Sequence, residues 1–357
     1  MRAIFSGGGT GGHLYPALAV IKYMKDIGML SDVKYVGGYG IEKRVVPEYG
    51  IEYFGFNIKG LKRPKRSPSN VKVILQYYMA AFKIKKIIKE FKPDFVFVTG
   101  GYASIPLAIA AKKLKIPIFN QEQNVYVGFA NRFINRFSLV TFTNFDRSVR
   151  YFPRKDNVIV CGNPVMRNRI NKDKALKKFG LDNKTTIGIF GGSGGSEKIN
   201  DSIKTIYKND NVYNYIHITG KRDYNRFKGL NNKENVKILD YCGDMDSFYS
   251  ACDLVISRAG AMTISELMAL KIPAILIPHP FAAENHQFYN AEYLQKQGLA
   301  MVIEDDKLNS NILKDYINKM ITEIGEIRKR YEKIEIKDSL KTITNKILEV
   351  LNERKNN

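Results

Sequence analysis

Residues 4–20 read IFSGGGTGGHLYPALAV. An apolar strand ends in a glycine-rich turn there, and a helical stretch opens directly behind it. Backbone N–H groups at such a helix start lack partners and lie at the positive end of the helix dipole, so the turn favours an anion such as phosphate. Glycine suits the turn because a side chain would block close approach and because positive φ is often required. Two further strands end in the same way, at VTGGYASIP (98–106) and IFGGSGGSEKIN (189–200). Turns kept only for tightness would fall at arbitrary strand ends, so three of them at corresponding ends point to ligand binding.

Around these turns, apolar runs alternate with amphipathic helical stretches along the whole chain. The first half offers RAIFSG, VKYVGG, FVFVTG, IPIFNQ, LVTFTN and NVIVCG as buried strands; the second offers TTIGIFGG, NYIHITG, VKILDY, LVISRAG, PAILIPH and AMVIED. That alternation predicts parallel sheets with crossover helices. The 357 residues accommodate two such domains. The fold class is therefore α/β, two Rossmann-like domains of about six strands each, facing a central cleft, because open α/β sheets bind ligands beyond the carboxyl ends of their strands. The join falls near CGNPVMRNRINKD, where Asn163 and Pro164 end a strand. Residues 1–162 form the first domain and 163–340 the second. A charged helical tail follows, with 341–357 expected to pack back on the first domain.

Composition narrows the class further. No run reaches the roughly 20 apolar residues of a membrane-spanning helix. The start MRAIFSGGG passes directly into a strand, which predicts a chain that is not exported. Cys161, Cys242 and Cys252 are widely spaced without a CxxC pair, against a disulfide framework or a structural zinc site and in keeping with a reducing cytoplasm. The net charge of +22 is unevenly spread: residues 1–162 carry 26 Lys+Arg against 10 Asp+Glu, hence +16, leaving +6 for the rest. Much of the excess lies between Lys59 and Lys92, where Glu90 is the single acid. A nucleic acid, an anionic membrane face and a solvated lysine-rich surface all satisfy that charge.

Gly7, Gly9 and Gly12 fit the GxGxxG spacing of dinucleotide-binding domains, which also requires an acid at the end of the second strand to hold the ribose. The second strand ends VKYVGGYG, and Glu42 is the first acid beyond it. The dinucleotide reading loses its ribose ligand. A P-loop is excluded, since no Lys-Ser or Lys-Thr follows the glycines.

The strongest signal is SRAGAMTISELMALKIPAILIPHPFAAENHQFYNAEYL (257–294). A strand ends at Ser257, a small-residue turn follows, and a helix carries Thr263 and Glu266 in its first turns, where hydroxyl and carboxylate can grip a ribose while the turn's amides face phosphate. This stretch resembles the nucleotide-sugar signature of GT-B glycosyltransferases. Together with GGTGGHLYP, GGYASIP, QEQNVYVGFANR, GNPV, GGSGGSEKIN and HQFYNA, it resembles the peptidoglycan glycosyltransferases of family 28, over almost the full chain and in order. Those enzymes add N-acetylglucosamine to lipid I to form lipid II, a step of cell-wall biogenesis.

The resemblance implies a first domain that binds acceptor and membrane and a second that binds UDP-GlcNAc. Thr10, Gly11 and Gly12 then line the cleft beside the donor, and Asn124 contacts its sugar. Ser193 meets the diphosphate, with Ser196 a possible substitute. The backbone of Cys242 reads the uracil edge. Ala261, Met262, Thr263, Ile264, Ser265 and Glu266 form the diphosphate and ribose site, with Glu266 on the ribose hydroxyls, and Gln287 bonds the sugar hydroxyls. The family has Arg directly after GNPV; here Met166 intervenes, so Arg167 supplies the guanidinium by a one-residue shift.

The implied reaction inverts the anomeric centre in one displacement. The acceptor hydroxyl must lose a proton and the departing UDP must have its charge stabilised. His13, the histidine that follows a phosphate-type loop, is the favoured general base, since imidazole titrates near working pH; alternatively it only positions the acceptor. Glu122 is the competing base, or else bonds acceptor hydroxyls or holds His13. Tyr102 lines the acceptor side. No cofactor or metal is implied: DMD, Asp244 to Asp246, imitates a metal-binding DxD but reads better as a helix cap. Within VKVILQYYMAAFKIKKIIKE, Val73, Ile74, Tyr77, Tyr78, Ala81 and Phe82 alternate with lysines at helical spacing, as interfacial helices do. The expected partners are thus UDP-GlcNAc, lipid I and an anionic membrane at its cytoplasmic face, without nucleic acid. A diacylglycerol glycosyltransferase of the same superfamily is the nearest alternative, and a nucleic-acid-binding protein a remote one.

Overall fold

The computed structural model describes residues 1–61, 68, 70–192, 194–335 and 337–356. They form two compact units, Met1–Val165 with Lys337–Asn357, and Met166–Ile336.

Unit 1 is built on a seven-stranded sheet, parallel throughout: β1 (Arg2–Ser6), β2 (Asp32–Gly37), β3 (Glu52–Gly55), β4 (Phe95–Val98), β5 (Ile118–Glu122), β6 (Val140–Thr143) and β7 (Val158–Val160), in the order β3-β2-β1-β4-β5-β6-β7. The connecting helices are α1 (Gly11–Asp26), α2 (Glu42–Glu48), α3 (Asn70–Phe91), α4 (Ser104–Lys113) and α5 (Phe129–Asn135). β4, β5 and β6 are buried along their whole length, which is why β4 and β6 read as unbroken uncharged runs, whereas β5 ends in Asn120, Gln121 and Glu122. β3 is the strand that sequence pattern misses. It sits at the sheet edge, half-buried, and its EYFG is too short and too aromatic to show either continuous burial or clean alternation.

Unit 2 carries a six-stranded parallel sheet: β8 (Thr186–Phe190), β9 (Asn214–Ile218), β10 (Val236–Leu239), β11 (Leu254–Ser257), β12 (Ala274–Leu276) and β13 (Ala300–Val302), ordered β10-β9-β8-β11-β12-β13. All six are the strands expected from the apolar runs. Its helices are α6 (Lys172–Phe179), α7 (Glu197–Asn209), α8 (Tyr224–Phe227), α9 (Met245–Ala251), α10 (Ala261–Ala269), α11 (His286–Lys296) and α12 (Ser310–Glu332). Each unit is Rossmann-like, the make-up of a GT-B chain. In each, strand order reverses direction once, between β1 and β4 in unit 1 and between β8 and β11 in unit 2, and ligands of such sheets bind at that switch point.

The last helix, α13 (Ser339–Asn356), returns to unit 1. Leu340, Ile343, Ile347 and Leu351 recur at helical spacing and join the core formed by Leu14, Leu18 and Ile21 of α1. Burying each such side chain contributes about 1.5–3 kcal/mol, so α13 is part of the unit 1 core. On the opposite face, α3 buries Val73, Tyr77, Ala81, Ile84 and Ile88 with α4. Three of the residues expected at a membrane, Val73, Tyr77 and Ala81, are therefore core. The outward stripe is Val71, Ile74, Leu75, Tyr78, Met79 and Phe82, the last 77% exposed. Its flanking basic residues Lys62, Arg63, Lys65 and Arg66 lie outside the described residues.

A buried histidine makes unit 2 acid-sensitive. His217 of β9 is fully buried; Tyr207 Oη–H donates to its Nδ1 (3.1 Å) and its Nε2–H donates to Asn200 Oδ1 (2.9 Å), because Asn200 Nδ2 is already donating to Thr219 O and Asp223. Burial pushes its imidazole from the ordinary 6.5 down to about 3, with Asp223 opposing. The unfolded chain therefore binds the extra proton in this window, and the contribution of His217 to stability is full above pH 6.5 and falls as pH drops towards 3. The expected slope is about 1.4 kcal/mol per pH unit at most. Denaturant titrations of the wild type and of His217→Leu across this window check it: the wild-type slope should exceed the variant's by about one proton.

Candidate active site

In unit 1 the switch point brings together two of the glycine turns. The turn after β1 leads through Thr10, the exposed N-cap residue of α1, whose hydroxyl makes no capping hydrogen bond. Gly11 and Gly12 open the helix, with first-turn amides that have no helical acceptor. The turn after β4 packs flat against it. Gly101 has φ +75°, and a Cβ there would lie 2.4 Å from the Gly8 carbonyl oxygen and 3.2 Å from His13 Cδ2, so any side chain would force the two turns apart.

One anion site in this region is already filled by the chain. Glu42 is fully buried; its carboxylate accepts the Gly9 and Gly38 N–H groups, each at 3.0 Å. The acid that sequence reading found too late for a ribose thus braces the first turn from below. Tyr102, half-buried, lays its ring along Gly9, and burial, with the nearby Glu42, raises its phenol above the ordinary value.

His13 lies in the first turn of α1 with its Nδ1 facing two acceptors, the Thr99 carbonyl at 3.0 Å and Gln123 Oε1 at 2.8 Å. Nδ1 is therefore the protonated nitrogen of the neutral ring, and Nε2 carries the lone pair. Glu122 occupies a different position from the one its candidacy requires. It is 0% exposed, and its oxygens accept five hydrogen bonds: Gln123 N–H, Asn124 N–H and Asn124 Nδ2 on one, Gly128 N–H and Asn131 Nδ2 on the other, at 2.9–3.0 Å. A carboxylate so enclosed is a brace for the 123–131 loop and is closed to an acceptor proton in this structure. Nor does it hold His13: among the described residues no hydrogen bond joins the two, and the adjacent Gln123 does so instead. Asn124, 9% exposed, is held in place by Glu122.

In unit 2 the turn after β8 leads to Ser196, the N-cap residue of α7; Ser193 lies outside the described residues. Gly195, at φ +74°, admits close backbone packing, since a Cβ there would meet Thr219 O at 2.2 Å. Ser196 Oγ accepts from Arg258 Nη2 at 2.8 Å, and Arg258 also donates to Asp305 and to the Ile277 and Pro278 carbonyls. Arg258, present in SRAG but not singled out, ties three loops together across the switch point.

Behind it, Gly260 is the N-cap residue of α10. Of its first six residues Ala261, Ile264 and Ser265 turn into the core, and Met262, Thr263 and Glu266 remain partly accessible. Ala261, Ile264 and Ser265 can thus offer a ligand only backbone. Glu266 accepts from Arg167 Nε at 2.9 Å and from Tyr249 Oη at 2.7 Å, and Arg167 Nη1 lies 3.5 Å from Asp246. Burial works to lower the Arg167 guanidinium, but Glu266 outweighs it and the net shift is upward. Burial also raises Tyr249 far above its ordinary value, with Glu266 adding to the effect, so it stays an O–H donor. Arg167 thus sets a guanidinium against the Glu266 carboxylate of α10.

Cys242 is half-buried, its thiol raised by burial and donating to Asp244 O. Asp244 caps α9: Oδ1 accepts Ser247 N–H at 3.0 Å and Oδ2 pairs with Lys178 at 2.7 Å, which with the Ser247 bonds holds the carboxyl at about 2. Among the described residues no group of three or more His, Cys, Asp and Glu side chains is placed to hold a metal ion. Gln287 Oε1 accepts His279 N–H at 2.9 Å, leaving its Nε2 as the end that can donate. Just before it, Glu284 and Asn285 are consecutive left-handed residues (φ 53° and 54°), a backbone held at some strain.

Comparison with known proteins gives a consistent answer for both units. The family model for the glycosyltransferase family 28 N-terminal domain matches residues 3–143, and that for the glycosyltransferase family 28 C-terminal domain matches residues 186–347. A Caldicellulosiruptor saccharolyticus protein named UDP-N-acetylglucosamine--N-acetylmuramyl-(pentapeptide) pyrophosphoryl-undecaprenol N-acetylglucosamine transferase is 40% identical over 329 residues, 89% of this chain and 88% of its own. A Finegoldia magna protein of the same name is 35% identical over 97% of both chains. The crystal structure of MurG from Acinetobacter baumannii superposes with a TM-score of 0.78 at 25% identity, covering 98% of this chain and 99% of that one.

Proposed function

We propose, from the premise that this chain belongs to glycosyltransferase family 28, that it transfers N-acetylglucosamine from UDP-GlcNAc to the C4 hydroxyl of undecaprenyl-diphosphate-N-acetylmuramyl pentapeptide, lipid I, giving lipid II. The observation that carries this reading is the near full-length similarity to relatives named for that transfer, at 35–40% identity. A diacylglycerol acceptor, the nearest alternative, has no such support.

The residues of the two units divide the chemistry. The acceptor C4 oxygen attacks the anomeric carbon of the donor, the bond from that carbon to the diphosphate oxygen breaks, and its electron pair leaves with UDP. The hydroxyl proton passes to Nε2 of His13. Loop amides, the start of α10 and the Arg167 guanidinium stabilise the departing diphosphate. Glu266 accepts from the ribose hydroxyls, the Cys242 backbone reads the uracil, and the Gln287 amide donates to a sugar hydroxyl. Thr10, Gly11, Gly12 and Asn124 face the donor sugar, and Tyr102 the acceptor.

The acceptor's lipid requires a membrane, and α3 supplies a fitting surface. No described helix is long and apolar enough to cross a membrane. The outward stripe from Val71 to Phe82 is apolar, and Lys85, Lys86 and Lys89 continue it on the same side of the helix. An apolar face that ends in cations docks on an anionic bilayer, by burial of the one and attraction of the other. Transfer assays with two acceptors test the proposal. The wild type should glycosylate both a soluble short-chain analogue of lipid I and lipid I in anionic vesicles. Met79→Glu with Phe82→Glu should keep the first activity and lose most of the second. Absence of transfer to either acceptor by the wild type contradicts the function, and equal vesicle activity in the variant contradicts the docking surface.

A further inference from the structure

We propose that Asn163, Gln121 and Gln123 form an oriented chain of side-chain amides that fixes His13 as its Nδ1–H tautomer and keeps the Nε2 lone pair for the acceptor hydroxyl; the proposal rests on the reading of His13 as base. The chain starts at Asn163, just before unit 2 begins at Met166. Its Nδ2 donates to the Gln123 carbonyl at 3.2 Å, so its Oδ1 must be the atom that accepts from Gln121 Nε2, at 2.7 Å. Gln121 Nε2 donates to Glu122 O as well (3.1 Å), which turns its Oε1 towards Gln123. Gln123 Nε2 then donates to that Oε1 at 2.5 Å, to Gln121 O at 3.1 Å and to Thr99 O at 2.7 Å. Flipping Gln123 would set its oxygen against three other oxygens. Its Oε1 is therefore left pointing at His13 Nδ1.

Burial makes this direction matter. Gln121 and Gln123 are 0% exposed and Asn163 5%. Polar groups so placed are costly unless every one is paired, and here each orientation is dictated by its neighbour. Apolar side chains of similar size would fill the same volume; what the amides add is a defined direction at the imidazole. The far end is pinned too, because Ser339 of α13 donates to Asn163 O at 2.7 Å. The partner at Nδ1 is also neutral. Once Nε2 has taken the proton, the Nδ1–H still faces the Thr99 and Gln123 oxygens, which keep the ring oriented.

The test is nitrogen NMR of protein labelled with 15N-histidine, at a pH where His13 is neutral, with His13→Ala as the blank that assigns its signals. The wild type should show His13 as the Nδ1–H tautomer. Gln123→Met should move it towards the Nε2–H form and lower kcat by roughly 10- to 100-fold, the scale on which outer partners of a working histidine act. It should leave KM for UDP-GlcNAc unchanged and have no further effect in the His13→Ala background. An Nε2–H wild type overturns the proposal, as does full turnover in Gln123→Met or an equal loss from that change with and without His13. Should Gln123→Met not fold, the wild-type spectrum decides alone. Near-normal turnover of His13→Ala would instead remove the base reading on which the proposal rests, whatever tautomer is seen.

Discussion

Replacing His13 with alanine is expected to lower kcat by about 100- to 10,000-fold and to leave KM for UDP-GlcNAc nearly unchanged. The size follows from what the imidazole contributes. A sugar hydroxyl is a poor nucleophile until its proton is being removed, and a positioned general base typically supplies that range of rate. The selectivity follows from where His13 sits. It belongs to unit 1, whereas the residues assigned to nucleotide, Arg167, Cys242 and Glu266, all belong to unit 2. Donor affinity should therefore survive. Steady-state kinetics with a soluble acceptor measures both constants, and a variant with near-normal kcat removes His13 as base.

Glu266→Gln is expected to do the reverse, raising KM for UDP-GlcNAc by about 10- to 100-fold with a smaller change in kcat. Two charge-assisted hydrogen bonds to the ribose are at stake, each worth about 1.5–3 kcal/mol before the substitute's residual bonding is counted. Glutamine has nearly the same shape but keeps only one acceptor oxygen. It also leaves the half-buried Arg167 guanidinium with Asp246, 3.5 Å away, as its remaining carboxylate. Titration calorimetry with UDP checks the binding component directly; undiminished affinity would show that the ribose is held elsewhere.

Much of this was legible in the sequence, for a physical reason. Strands buried on both faces are largely apolar, so β8, β11 and β12 announce themselves, and glycine turns at the switch points stand out because only glycine tolerates the close backbone approach seen at Gly101 and Gly195. What stayed hidden depends on which way a side chain points. Glu122 and Gln123 are neighbours in QEQN, yet one braces a loop and the other holds His13, because successive residues leaving a strand face opposite ways. Likewise every residue of α3 from Val71 to Phe82 fits an interfacial helix by composition, and only packing against α4 assigns Val73, Tyr77 and Ala81 to the core. Glu42 was visible only as an acid in the wrong place for a ribose; its use beneath the first turn requires the fold.

The most direct measurement of the central claim is the configuration of the product. UDP-GlcNAc labelled with 13C at C1 is incubated with the purified chain and a soluble lipid I analogue, with and without EDTA, and the new anomeric signal is read by NMR. A single displacement assisted by His13 and by loop amides predicts one β-linked disaccharide, formed equally in both buffers. An α-linked product, or no disaccharide in either buffer, would contradict the account.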